Sequence, residues 1–295
     1  MLRFSGVLSA MVTPFSGEQN EVDEGLLRLL TDSTVESGVH GLVPCGSTGE
    51  FAAMTNEERR RVVEIVLDQA GGRVPVIPHV GAMTTRETIL LAQHAESVGA
   101  AAVMAVAPYY EPLAVDEVKN YYRDLASSIS VPVIIYNLPL ATGVNLLPAD
   151  VAELATSHKN IQYVKDTTGD FSQAACLIHD YKDVITVFVG QDTFFLGALL
   201  EGATGVIVGA ANFLGRELVA IWNSVQAGDY SLATKNWEEI FGVMQFLVRG
   251  GYVAGIRGAL DVLGVSAGPA RQPIGPLSTD RYQELEGLFK LLKRN

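Results

Sequence analysis

Short, β-branched apolar runs recur along the chain roughly every thirty residues, each bounded by Gly, Pro or Asn. They begin at Gly6 (GVLSAMVTPF), Gly41 (GLVPCG), Val74 (VPVIPHVG), Ala101 (AAVMAVAP), Val131 (VPVIIYN), Ile161 (IQYVKD), Ile185 (ITVFVGQD) and Thr204 (TGVIVGAAN). Between them lie stretches with apolar residues at helical spacing, among them EGLLRLLTDSTVES, NEERRRVVEIVLDQA, RETILLAQHAESV, VDEVKNYYRDLASSI and PADVAELATSH. Strands that are apolar throughout, separated by helical crossovers, predict a parallel sheet covered on both faces. Eight such units favour closure into a (β/α)8 TIM barrel over an open doubly wound sheet.

The strand–helix alternation ends near residue 228. The remainder of the chain reads as helices alone: SLATKNWEEIFGVMQFLVRG, VAGIRGALDVLG and TDRYQELEGLFKLLKR. The expected organisation is therefore an α/β barrel over 1–228 and a C-terminal helical extension over 229–295. The segment SAGPARQPIGP carries three prolines and is too short for a domain linker, so a packed loop is expected there.

Composition narrows the classes of function. Of 295 residues 48% are hydrophobic, which excludes disorder. Twenty-one basic against 33 acidic residues give a net charge of −12, which disfavours nucleic acid and anionic membranes as partners. No run approaches a membrane span, and the first residues lack a signal-peptide pattern, so a cytoplasmic protein is expected. Cys45 and Cys176 are the only cysteines, and neither they nor the five histidines show metal-ligand spacing. Neither a metal nor a cofactor is expected; the glycines from Gly250 to Gly258 follow a helix, which disqualifies them as a dinucleotide fingerprint.

Barrel enzymes carry their chemistry at the C-terminal ends of the strands, and the residues there are unusual. Lys165 closes the sixth run and by alternation shares an inward face with Ile161 and Tyr163. It is one of seven lysines; the others fall in helices or loops. A buried amine sheds its proton and attacks carbonyls, unless it is paired with a carboxylate such as Asp166 or Glu50. Tyr136 closes the preceding run, about one strand spacing away, where a phenol can relay a proton. The GSTGE turn (Gly46 to Glu50) offers two hydroxyls and a series of backbone N–H groups, a cradle for a small anion such as a carboxylate.

The lysine in KDTTGD, the tyrosine in YNLPLATG and the upstream GSTGE together resemble the dihydrodipicolinate synthase / N-acetylneuraminate lyase family over nearly the whole chain. The resemblance implies a pyruvate-dependent class I lyase on a (β/α)8 barrel, assembled as a homotetramer (a dimer of dimers). It implies that Lys165 forms a Schiff base with a 2-keto acid, and that Tyr136, Ser47 and Tyr110 form a proton relay in which Tyr110 comes from a neighbouring protomer. Ser47 and Thr48 would hold the pyruvate carboxylate, with Ile207 contributing its carbonyl near the lysine. By position, Gly190, Asp192 and Gly209 would line the substrate pocket.

Departures from the family's patterns point to the second substrate. Synthases resemble YN-x-P-x-R-T-G, whose arginine serves a second carboxylate; here that position is Ala141. Sialic acid lyases are similar in carrying G-x-D-E and a later serine, where this chain has Gly190, Gln191, Asp192, Thr193 and then Gly209. The remaining likeness is to aldolases of 2-keto-3-deoxy sugar acids, whose aldehyde is uncharged and polyhydroxylated. The alternatives are a 4-hydroxy-tetrahydrodipicolinate synthase, an N-acetylneuraminate lyase or, in another class, a non-catalytic 2-keto acid binding protein.

Overall fold

A computed structural model describes residues 4–17 and 20–292. The first strand, β1 (Gly6–Ala10), is followed by a small antiparallel hairpin of β2 (Phe15–Ser16) and β3 (Glu21–Val22), which the apolar pattern did not predict. Then come β4 (Gly41–Val43), β5 (Val103–Val106), β6 (Val133–Asn137), β7 (Ile161–Asp166), β8 (Thr186–Val189) and β9 (Gly205–Val208). These last six and β1 form one parallel sheet in the order β4-β1-β9-β8-β7-β6-β5. Each of its strands is buried almost throughout, as a sheet covered on both faces requires.

The third apolar run does not form a regular strand. Pro75 and Pro78 remove two ladder donors, so the segment from Val74 to Val80 makes only single parallel bridges, Leu42 to Val76 on one side and His79 to Met104 on the other. Those bridges join the two edge strands, β4 and β5, and close the curled sheet. His79 supplies part of what the prolines take away. Its Nδ1 lies 3.0 Å from the Cys45 carbonyl oxygen, and its Nε2 accepts the Val106 N–H at 3.2 Å. Arg59 donates to the carbonyl of the same residue at 3.0 Å. The imidazole thus stitches main chain on both sides of the gap.

Helices cover the outside: α1 (Glu24–Glu36), α2 (Asn56–Ala70), α3 (Thr85–Ser97), α4 (Val115–Ser128), the one-turn α5 (Pro139–Thr142), α6 (Pro148–Ser157), α7 (Phe171–Asp180), α8 (Phe195–Glu201) and α9 (Gly215–Gln226). Their starts follow capping rules; Thr55 and Glu58 of α2, for example, satisfy each other's backbone N–H groups. One buried cluster sits between the sheet and α3 to α8, including Val103, Val133, Ile135, Val164 and Val187. The other fills the barrel with Leu8, Leu42, Ile77, Met104, Ile134, Tyr163 and Phe188. Ile161 belongs to the first cluster, not to the interior as simple alternation predicts. The reason is a register shift between Val133 and Ile134, which pairs Val133 with Ile161 but Ile134 with Tyr163.

Beyond the sheet lie α10 (Tyr230–Val248), α11 (Tyr252–Val262) and α12 (Thr279–Leu291). Ile240, Met244, Phe246, Ile256 and Leu260 join the same buried cluster as the barrel interior. α10 packs against the 3-10 turn at Asp192–Phe194 and α11 against the turn at Gly209–Asn212, so these helices touch the loops after β8 and β9. The proline-bearing loop after α11 is packed only in part: Ala267 is buried and Arg271 bonds to Glu58, but Pro269, Pro273 and Pro276 are exposed. No described helix is long and apolar enough to cross a membrane.

Burial, and then the charges of Arg59 and Lys165, push the His79 imidazole well below its ordinary 6.5, so it is neutral in the folded chain. The unfolded chain binds a proton there below pH 6.5 that the folded chain refuses. Stability from His79 is therefore present above that pH and lost as pH falls, with a slope of at most about 1.4 kcal/mol per pH unit. His79→Gln should lower stability at pH 7.5, and the gap from wild type should narrow toward pH 5 in denaturant titrations. A gap independent of pH would show that the imidazole is not held neutral.

Candidate active site

Lys165 and Tyr136 are register partners on β7 and β6, and Phe188 of β8 pairs with the lysine from the other side. The Lys165 Nζ stands 4.0 Å from the centroid of the Tyr136 ring, and the two side chains are only 5% exposed. His79 approaches the same tyrosine edge-on at 6.2 Å, while Phe51 packs on the other side of His79. Lysine and phenol are therefore brought together at the C-terminal mouth of the barrel.

The sequence left open whether a carboxylate neutralises this lysine. Among the described residues none pairs with it, because both candidates are engaged elsewhere. Asp166 accepts hydrogen bonds from the Thr168 hydroxyl at 2.7 Å and from Gln173 at 3.1 Å, and burial raises its carboxyl above the ordinary value despite these contacts. Glu50 is bound by the Arg257 guanidinium at 2.9 and 2.5 Å and by the Arg271 N–H at 2.8 Å. Arg257 also donates to the carbonyls of Thr13, Ala267 and Gly268. This buried ion pair holds the GSTGE turn from behind, where Glu50 sits at a φ of 57°.

In that turn the N–H groups of Gly49 and Glu50 bond to Gly46 and Ser47 carbonyls. Among the described residues those of Ser47 and Thr48 have no protein partner, so the cradle is narrower than the sequence suggests. Ser47 is exposed and Thr48 is buried.

The loop after β8 approaches the lysine closely. A Cβ on Gly190 would lie 2.0 Å from the Thr167 Oγ1 and 2.5 Å from the Lys165 Cε, so only glycine leaves these side chains in place. The Thr167 hydroxyl is buried without a partner. Sequence reading passed over it, although it follows the lysine by two in KDTTGD. Asp192, two residues past Gly190, is 2% exposed; burial, against the pull of a Tyr252 hydrogen bond and the Lys165 charge, raises its carboxyl to about 6. Its Oδ2 accepts the Tyr252 hydroxyl at 2.8 Å. Ile207 is fully buried on β9, and Gly209 follows it by two.

Tyr110 is not part of this group. It is 82% exposed and does not line the mouth of its own barrel, whereas its neighbour Tyr109 packs edge-on against Phe51. Tyr109, Ser47, Leu138, Ala141 and Arg271 border a cavity of about 360 Å³ at the mouth. Among the described residues Arg271 brings the only guanidinium to that wall, and it is already engaged: two bonds to Glu58, one to the Asn20 carbonyl and one to the Ala53 carbonyl.

An unpaired lysine beside a strand-end tyrosine in a curled parallel sheet defines a Schiff-base-forming lyase. The profile of the dihydrodipicolinate synthetase family matches residues 3–292. The 4-hydroxy-tetrahydrodipicolinate synthase of Trichlorobacter lovleyi is 36% identical over 290 residues, 98% of this chain and 99% of that protein. Its counterpart from Methanocaldococcus jannaschii is 36% identical over 287 residues, 97% and 98% of the two chains. A crystal structure of a dihydrodipicolinate synthase superposes with a TM-score of 0.93 at 36% identity, covering 97% of this chain and 98% of that one. The Escherichia coli K12 prophage protein YagE, solved in complex with pyruvate, gives 0.93 at 31% identity over 98% and 99%. The chain belongs to the dihydrodipicolinate synthetase family and is a pyruvate-dependent lyase.

Gly190→Ala should leave the fold intact but displace the Lys165 side chain. A shift of about 1 Å at a reacting group costs on the order of 100-fold in rate. Borohydride trapping of pyruvate on the protein should slow accordingly while the circular dichroism spectrum is unchanged; undiminished trapping would mean that the lysine has room to spare.

Proposed function

We propose that this enzyme is a class I aldolase acting on a 2-keto-3-deoxy sugar acid or a similar 4-hydroxy-2-oxo acid, with pyruvate as one half of the substrate and an uncharged aldehyde as the other. The observation that carries this reading is at the mouth: Ala141 stands where an arginine would meet a second carboxylate, and the Arg271 guanidinium on the same wall already neutralises Glu58 and gives four of its five N–H groups to Glu58 and the Asn20 and Ala53 carbonyls. Burying a carboxylate there without a cation costs several kcal/mol, whereas a polyol needs only hydrogen bonds.

In this reading the Lys165 amine attacks the keto carbon of the substrate, and loss of water leaves a protonated imine. Tyr136, having given its phenol proton to the departing water, takes the proton of the C4 hydroxyl back as the C3–C4 bond breaks. The bonding electrons flow into the imine, giving an enamine and free aldehyde. Protonation at C3 and hydrolysis then release pyruvate and restore the amine. Ser47 and Thr48, with their unpartnered N–H groups, hold the pyruvate carboxylate, and Ile207 contributes its carbonyl, the role that the family resemblance implies. Gly190 leaves the lysine room, and Asp192 and Gly209 border the aldehyde end. Tyr110, being exposed, is available to complete the relay of a neighbouring copy in a homotetramer. We place the boundary of the helical extension at 228/229 and the enzyme in the cytoplasm.

The second reading is 4-hydroxy-tetrahydrodipicolinate synthase, favoured by the names of the relatives at 36% identity. It requires a cation other than residue 141 for the second carboxylate.

Reduction with borohydride in the presence of pyruvate should leave one adduct, on the peptide containing Lys165. Lys165→Arg should abolish it, because a guanidinium stays protonated. Tyr136→Phe should lower kcat by roughly 10²- to 10⁴-fold with modest loss of pyruvate binding. An adduct on another residue, or a wild-type kcat in the phenylalanine variant, would refute the assignment.

Steady-state kcat/KM should favour uncharged hydroxyaldehydes over aspartate semialdehyde, and each 1.4 kcal/mol of carboxylate desolvation contributes about tenfold. Ala141→Arg should narrow that difference. A clear preference of the wild type for aspartate semialdehyde would establish the synthase reading instead.

A further inference from the structure

The outer face of β6 and β7 is apolar where the strands run under the helices, with Ile135 paired to Val164, and turns polar only at the last rung, where Asn137 pairs with Asp166. That rung directly follows the one that carries Tyr136 and Lys165 on the inner face. Its main chain also holds Thr167 and Gly190, the loop residues that meet beside the Lys165 side chain. The Asn137 carbonyl accepts the Thr167 N–H at 3.0 Å, and the Asp166 carbonyl accepts the Gly190 N–H at 2.7 Å.

On its outer side the rung is closed by a circuit of side-chain amides. Asn137 holds the main chain of Leu146 in both directions, donating to its carbonyl at 2.9 Å and accepting its N–H at 3.2 Å, as a neighbouring strand would. Asn137 also donates to the Asn145 Oδ1 at 2.9 Å, Asn145 donates to the Gln173 Oε1 at 2.8 Å, and Gln173 donates to the Asp166 Oδ2 at 3.1 Å. The orientation of each amide follows from its ends. The Leu146 N–H can only donate, which turns the Asn137 oxygen toward it, and a carboxylate can only accept, which turns the Gln173 nitrogen toward Asp166. Thr168 satisfies the other oxygen of Asp166, and among the described residues no side-chain atom of the circuit is buried without a partner. Apolar side chains of the same shape would cost little stability here, so what the circuit adds is a single fixed geometry.

We propose that Gln173 is a positioning residue for the reaction: through Asn145 and Asp166 it locks the last rung of β6 and β7, and so sets the distance between the Tyr136 phenol and the Lys165 amine on the rung before. Gln173 sits in the first turn of α7, so a helix outside the barrel bears on the reacting pair inside it. The inference rests on the roles given to Lys165 and Tyr136 in the proposed function, and not on the identity of the aldehyde.

The test uses pyruvate alone as the probe. The protein is mixed rapidly with pyruvate and quenched with borohydride after increasing times, which gives the rate of imine formation, the pyruvate concentration at half its maximum, and an end-point adduct that counts competent lysines. Gln173→Met, which keeps the bulk and loses the hydrogen bonds, should slow imine formation per competent lysine by roughly 10- to 100-fold, since a shift of about 1 Å at a reacting group costs on the order of 100-fold. The end point and the half-maximal pyruvate concentration should stay near wild type, because the GSTGE turn is not part of the circuit. Gln173→Glu sets two carboxylates face to face and should be as slow. Combined with Asp166→Asn it regains a donor and an acceptor, and the rate should return to within about threefold of wild type. In a Tyr136→Phe background Gln173→Met should cost little more, since both act through the phenol. A wild type that forms no adduct on Lys165 overturns the catalytic assignment and this inference with it. With that adduct present, the inference alone is overturned by a wild-type rate in Gln173→Met, by a double variant no faster than Gln173→Glu, or by full additivity with Tyr136→Phe. Loss of the end point itself in both single variants would overturn it too, by making the circuit purely structural.

Discussion

A primary amine inside a protein is driven to find a carboxylate, because an isolated buried charge is among the costliest states available to a side chain. Among the described residues three acidic side chains are buried, Glu50, Asp166 and Asp192, and each is engaged by something other than Lys165. Glu50 belongs to Arg257, Asp166 to Thr168 and Gln173, and one oxygen of Asp192 to Tyr252. The lysine is left against the face of a phenol. Its chemistry depends on that arrangement, since a side chain held in a salt bridge lacks the freedom to reach a carbonyl.

The same partners carry much of the local architecture. The Glu50–Arg257 pair links the turn after β4 to a helix more than two hundred residues later, and removing one member of such a buried pair typically costs about 3–5 kcal/mol by stranding the other. Because Glu50 is the last residue of GSTGE, that link also fixes where Ser47 and Thr48 present their N–H groups. The helices after the barrel are accordingly not a passive addition. α11 supplies both Arg257 behind the cradle and Tyr252 beside Asp192.

Closure of the sheet shows a comparable substitution of one interaction for another. Two prolines weaken the segment from Val74 to Val80, and a buried neutral histidine bonds to the main chain where ladder bonds are missing. Its ring also rests near Tyr136, so the repair of the backbone and the placement of a strand-end phenol share one side chain.

Periodicity made the alternation of strands and helices legible, and with it the rule that chemistry gathers at the strand ends. That is why Lys165 and Tyr136 could be paired from spacing alone, whereas Ala141 stood out only against the pattern of the family that the chain resembles. Alternation failed at Ile161, because a register shift is a property of two strands and is not written in either one. The neighbours of Lys165 were invisible for a similar reason: whether Asp166 or Glu50 would claim it depended on Gln173 and on Arg257, the latter distant in the chain. Tyr252 carried no signal at all, lying just after two glycines with no chemistry around it in sequence. Local pattern is set by side-chain polarity within a few residues and can be read directly. Partner choice among buried polar groups is decided by packing, where a residue two hundred positions away competes on equal terms with the next one along.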